Sequence, residues 1–130
     1  MINRHAAREI AFKYLYSRSI HKSVSTLPDE ESLSPELADF CQLLLTTYEE
    51  HAEEIDAWIE KHSLHWKVAR MHSVDLALLR LAITEYRYCK PQDMNKAMII
   101  DEALELAKVY SDEKSTAFIN GVLNQALQEE

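Results

Sequence analysis

One glycine, three prolines and two cysteines are all that this 130-residue chain holds of the residues that turn, kink or cross-link a backbone. Sheet proteins built on tight hairpins rely on glycine for positive φ, so near-absence of glycine excludes them. The expected fold is all-α. Cys41, in Phe40-Cys41-Gln42-Leu43, and Cys89, in Tyr86-Arg87-Tyr88-Cys89, are too few for a disulfide framework. They read as buried or half-buried thiols in a reducing compartment. No apolar run approaches the ~20 residues that cross a bilayer, and the amino end does not resemble a signal peptide. A cytoplasmic location with no membrane partner is expected.

Catalytic signatures are missing as well. There is no Gly-rich phosphate loop, no Ser nucleophile elbow and no Cys-x-x-Cys. Six histidines invite a metal reading. Zinc-hydrolase helices, however, carry two histidines at i, i+4 around a Glu, and His51-Ala52-Glu53-Glu54-Ile55 offers no second His. His62 and His65 stand three apart at an expected helix end, without Cys or Asp beside them. The chain is therefore read as a non-enzyme with no metal, cofactor or small-molecule substrate.

What is present is an ordinary globular composition, 47% apolar and 28% charged, with the length of a single domain over residues 1–130. Such a chain can bury about two-thirds of its unfolded surface. Its charge is unevenly placed. Residues 1–22 carry five basic side chains against Glu9 alone, a net of +4, within a total of −8. The body is acidic, so any grip on nucleic acid must be local.

Apolar spacing predicts the helices. Ala7, Ile10, Ala11, Tyr14 and Leu15 define one from Arg4 to about Ile20, with Arg4, Arg8 and Phe12 on another side. Ser23 to Pro35 is polar and aperiodic, a connecting loop. Ser34 caps a helix opened by Pro35, and a stripe from Leu37 to Ile59 continues as one long helix or two in series. Trp66 to Met71 is a short helical connector. A helix capped by Ser73 is apolar around nearly its whole circumference and so belongs in the middle of the fold; it ends before Pro91. Lys96 to Tyr110 forms the next, with Ile100, Ala103, Leu104, Ala107 and Tyr110 inward. Ser115 is expected to cap the last, which presents Phe118, Ile119, Val122, Leu123, Ala126 and Leu127. Within it lies the single glycine, Gly121, at a cost of about 1 kcal/mol relative to Ala. That cost marks either close helix–helix packing or a place where a ligand or another backbone approaches.

Three blocks resemble the NusB family of bacterial transcription antitermination factors. The first is Arg4-His5-Ala6-Ala7-Arg8-Glu9-Ile10-Ala11 with Leu15-Tyr16 behind it. The second is Val74-Asp75, Leu78-Leu79-Arg80-Leu81-Ala82-Ile83 and Glu85. The third and most specific runs Ile100-Asp101-Glu102-Ala103-Leu104-Glu105-Leu106-Ala107-Lys108, then Ser115, then Phe118-Ile119-Asn120-Gly121-Val122-Leu123. Together they span nearly the whole chain. The resemblance implies two small helical subdomains of about six to seven helices packed together. It also implies binding of boxA, a short single-stranded element of nascent RNA, with a small-subunit ribosomal protein that doubles as NusE, in the transcription elongation complex. Related domains begin some RNA cytosine methyltransferases; no residues remain here for such a catalytic domain, so the stand-alone form is expected.

Single-stranded RNA is read by stacking bases on aromatics and bonding their edges while Arg and Lys hold phosphates. The resemblance implies RNA contacts at Arg4, His5, Arg8, Tyr16, Lys114, Ser115, Phe118 and Asn120, and partner contacts at Arg80, Glu85 and Phe118. Lys114 stands where the family often has Asp. The expected arrangement is one cleft, in which the basic amino end meets the aromatic and amide of the last helix. The contrasting readings are a helical protein–protein adaptor and a dimeric NusB-like protein with an occluded RNA surface.

Overall fold

The computed structural model describes residues 4–20, 34–64 and 66–128. The expected loop from Ser23 lies mostly outside these residues, as does His65. Six α-helices carry the described chain: α1 His5–Ile20, α2 Pro35–Glu50, α3 Ala52–Lys61, α4 Ser73–Ile83, α5 Lys96–Tyr110 and α6 Glu113–Ala126. A single 3₁₀ turn, Val68–Arg70, occupies the expected connector before α4. None of the helices described is long and apolar enough to cross a membrane.

Local chemistry explains most boundaries. The Ser34 hydroxyl accepts the Leu37 N–H at 3.3 Å with Pro35 at the first position of α2, satisfying an otherwise orphaned donor. The long stripe divides into two helices at His51, whose φ of −122° and ψ of 20° leave the helical region. Its ring stacks on Tyr88 with centroids 4.3 Å apart. Asn95 caps α5 through a 2.9 Å bond from the Met98 N–H.

Two expected caps move. Ser73 begins α4 rather than preceding it, and His72 at the cap position makes no side-chain bond. Asp112, not Ser115, caps α6: its Oδ1 accepts the Ser115 N–H at 2.9 Å. That bond holds the Asp112 carboxyl below its ordinary value, as a carboxylate at a helix N-terminus should be.

The central helix is α4. Leu76, Ala77, Leu78, Leu79, Leu81, Ala82 and Ile83 are all buried, and α1, α5, α6 and α3 pack around them. Each large apolar side chain buried there contributes about 1.5–3 kcal/mol. Helix α1 buries its predicted stripe and also Phe12 and Arg8 on its other side, because α2, α4 and the residues of α5 enclose it on more than one flank. On α5, Ile99 and Leu106 are buried in addition to Ile100, Ala103 and Ala107, while Leu104 and Tyr110 are half-buried. Beyond α4 the chain continues as a wider π turn, Thr84–Cys89, closed by a 3.1 Å bond from the Lys90 N–H to the Glu85 carbonyl. Lys90 then adopts a left-handed φ of 47° before Pro91. Cys41 is buried and Cys89 half-buried.

Candidate nucleic-acid interface

The basic amino end divides between surface and interior. Arg4 lies over the Phe40 ring, 4.9 Å from its centroid, and pairs with exposed Asp93 at 3.5 Å. His5 Nδ1 meets Glu102 Oε2 at 2.9 Å. Arg8, one turn on, is only 4% exposed. Its Nε and Nη2 donate to the two carboxylate oxygens of Glu85 at 2.8 and 2.6 Å, and its Nη1 donates to Glu102 at 2.7 Å. Burial opposes the Arg8 charge, but bonding and attraction from Glu85, with Glu102 and Asp93 behind it, prevail and hold its pKa above the ordinary value. Such a two-pronged, water-excluded pair is among the stronger charge-assisted arrangements.

Two expectations are corrected here. Arg8 does not offer its guanidinium to a phosphate, since its donors are spent inside the protein. Glu85 is 2% exposed and clasps Arg8, so it does not meet a partner at the surface. Sequence alone assigned Arg8 to RNA because its partners lie 77 and 94 residues away. Arg80 is likewise committed within the chain: Nε and Nη2 donate to Asp56 at 2.9 and 2.8 Å, and the guanidinium lies 5.3 Å from the Tyr48 ring centroid. His5, Glu102 and Glu105 bring ligand atoms within 4.8 Å of one another, the donor set among the described residues that could hold a cation. Glu102 there is already bonded to Arg8.

The second cluster forms where the start of α4 meets the turn between α5 and α6. A cleft of about 380 Å³ is lined by Trp66, Asp75, Lys114, Ser115 and Phe118, with Arg70 at its side. Trp66, 53% exposed, stands edge-to-face with half-buried Phe118 at 6.4 Å. Asp75 forms the buried floor. Burial raises its carboxyl above the usual range, while a hydrogen bond from the Ser115 hydroxyl pulls the other way. Trp66, Arg70 and Asp75 were absent from the sequence-based site. An exposed tryptophan in a polar connector and one acid in an otherwise apolar helix were the available signals.

The two clusters do not share a cleft. Arg4 pairs with Asp93, just before α5, whereas Lys114 and Ser115 follow its end. Fifteen helical residues separate these ends by about 22 Å. The reason is that Phe12 of α1 packs on Tyr110 at the end of α5 with ring centroids 5.0 Å apart. The amino end of α1 therefore lies at the far end of α5 from the start of α6. Tyr16 is half-buried with its ring centroid 6.2 Å from that of Phe12. Asn120 lies outside that cleft and is exposed, its Oδ1 accepting from Asn124. Gly121 faces open space: an added Cβ would meet nothing within 4 Å, which removes close packing within the chain as its reason.

Comparison with known proteins agrees with this architecture. The NusB family model matches residues 5–128. A transcription antitermination protein NusB of Acetivibrio thermocellus is 38% identical over 98% of this chain and 90% of its own length. A T. maritima NusB structure superimposes with a TM-score of 0.87 at 27% identity, covering 99% of this chain and 93% of that one. A structure of the antitermination factors NusB and NusE in complex with double-stranded RNA gives a TM-score of 0.83 at 28% identity, covering 95% of each chain.

Proposed function

The chain belongs to the NusB family, and we propose that it acts in transcription antitermination by binding a boxA-type single-stranded RNA together with a NusE-type ribosomal protein in the elongation complex. Its work is binding, not catalysis. Residues 1–130 serve as one RNA-binding helical domain. The observation that carries this reading is the aromatic cleft between Trp66 and Phe118, with Lys114 and Arg70 beside it. Unpaired bases stack on such faces, and nearby cations meet the phosphates.

The strand follows an extended path. Phe118, Lys114 and Ser115 engage it at one end, Tyr16 lies between, and Arg4 and His5 meet it beyond. Arg4 and His5 sit at the start of α1, whose first turn carries no acidic side chain, so an incoming phosphate also meets the positive end of the helix dipole. Arg8 works indirectly by holding α1 against Glu85 and Glu102. With so few cations along that path and a net charge of −8, binding by the protein alone is weak. A basic partner drawn to the acidic body supplies the missing charge.

Fluorescence anisotropy with boxA-like RNA, with and without the NusE-type protein and across a salt series, tests this. Binding is expected to tighten with the partner present. Phe118→Ala should cost about 1–3 kcal/mol of stacking with little change in salt slope, circular dichroism confirming the fold. Absence of RNA binding under both conditions would overturn the reading.

A further inference from the structure

The floor of the aromatic cleft carries a feature that neither stacking nor phosphate contact uses. Asp75 is 5% exposed, and its Oδ1 has no hydrogen-bond partner among the described residues. The Ser115 side chain lies close to the same carboxyl. A buried acceptor left unpaired is costly, by roughly ten-fold or more in an equilibrium constant, and such groups in native proteins call for an explanation. As the third residue of α4, Asp75 is placed to turn back to the helix start, where His72 makes no capping bond of its own, but no such bond to Asp75 is found among the described residues. The carboxylate instead lines the cleft beneath Trp66 and Phe118.

We infer that Asp75 selects the base that stacks in this cleft, and that the base is guanine. This rests on the RNA-binding reading above and adds the specificity-determining residue. An ionised carboxylate only accepts hydrogen bonds. Guanine alone presents two adjacent donors on its pairing edge, N1–H and an N2 amine hydrogen. Adenine, cytosine and uracil each place an acceptor beside their donor, and that acceptor would face the second carboxylate oxygen. Oδ1 is unpaired among the described residues and each carboxylate oxygen accepts through two lone pairs, so both guanine donors find a partner. The terminal torsion of Asp is broad and two-fold, so a small rotation turns Oδ1 up into the cleft. A cleft of about 380 Å³ has room for one base against the aromatic rings that line it. Lys114, exposed at the mouth, meets the adjoining phosphate.

The test uses the full chain with its NusE-type partner and fluorescein-labelled uridine oligonucleotides bearing one central guanosine, inosine, adenosine, cytidine or uridine. The guanosine strand should bind roughly ten-fold tighter than the others. Inosine, which lacks the N2 amine, should lose part of that preference without any change to the protein. Asp75→Asn should reduce the preference to within about two-fold while the salt slope stays constant. Trp66→Ala should instead weaken every strand alike, again by about ten-fold. A purely structural Asp75 would change affinity for all strands equally. Equal binding of guanosine and uridine strands by the unmodified protein, or an undiminished preference in Asp75→Asn, would overturn the assignment and leave RNA binding intact. Failure of every strand to bind would overturn both.

Discussion

Replacing Arg8 with methionine takes the cation from a carboxylate that has almost no access to water. Glu85 is 2% exposed and receives two of the Arg8 bonds; Glu102, with a quarter of its side chain exposed, can be rehydrated. Breaking a buried pair from one side costs about 3–5 kcal/mol, because the remaining charge is stranded. With an unfolding entropy of about 2.1 cal/mol/K per residue over 130 residues, that lowers Tm by roughly 11–18 °C. Glu85→Met added to Arg8→Met removes the stranded charge and keeps the volume, so the double variant should return to within about 2 kcal/mol of the parent. Urea unfolding followed by circular dichroism measures all four corners of the cycle. A single-variant cost below about 1 kcal/mol, the level of an exposed ion pair, would refute the reasoning. So would a double variant no better than the single. The same double variant separates clamp from phosphate contact: a lost contact would flatten the salt slope of RNA binding by about 0.7, and no change is expected.

Gly121→Ala should stabilise the protein by up to about 1 kcal/mol, since the helix gains a better former and the new methyl meets no atom within 4 Å; a lowered Tm would contradict this. If RNA or the ribosomal partner uses that space, the same variant binds it less well. Asp75→Asn should raise Tm at pH 7. The folded pKa of Asp75 lies above the unfolded one, so its carboxylate costs stability as pH rises from near 4 through the folded value, and asparagine carries no such cost. The two melting curves should converge toward pH 3, and a constant gap would exclude the linkage. Arg4→Ala should flatten the RNA salt slope by about 0.7. Lys114→Asp should weaken RNA binding measured by anisotropy; unchanged or tighter binding would remove Lys114 from the interface.

Scarcity of glycine and regular apolar spacing were enough to specify an all-helical chain, because both act within a few residues. The Ser34–Pro35 start of α2 and the bounds of α5 were legible for that reason, as was the burial of Ala7, Ile10, Ala11, Tyr14 and Leu15. The cap of α6 was misplaced by three residues, since Asp112 and Ser115 are both able to accept from a helix start and only the backbone geometry chooses between them. Family membership was likewise legible in the Phe118-Ile119-Asn120-Gly121 block. The fate of a charge was not. Arg4 and Arg8 are the same residue one turn apart, and nothing local distinguishes the one at the surface from the one locked onto Glu85. Periodicity reports which face of a helix is apolar, but whether a cation on another face meets water or a carboxylate depends on how distant helices cross. The aromatic cleft arises in the same way: Trp66, Asp75 and Phe118 come from three segments distant in sequence, and only their packing brings them together, leaving one carboxylate oxygen without a partner among the described residues.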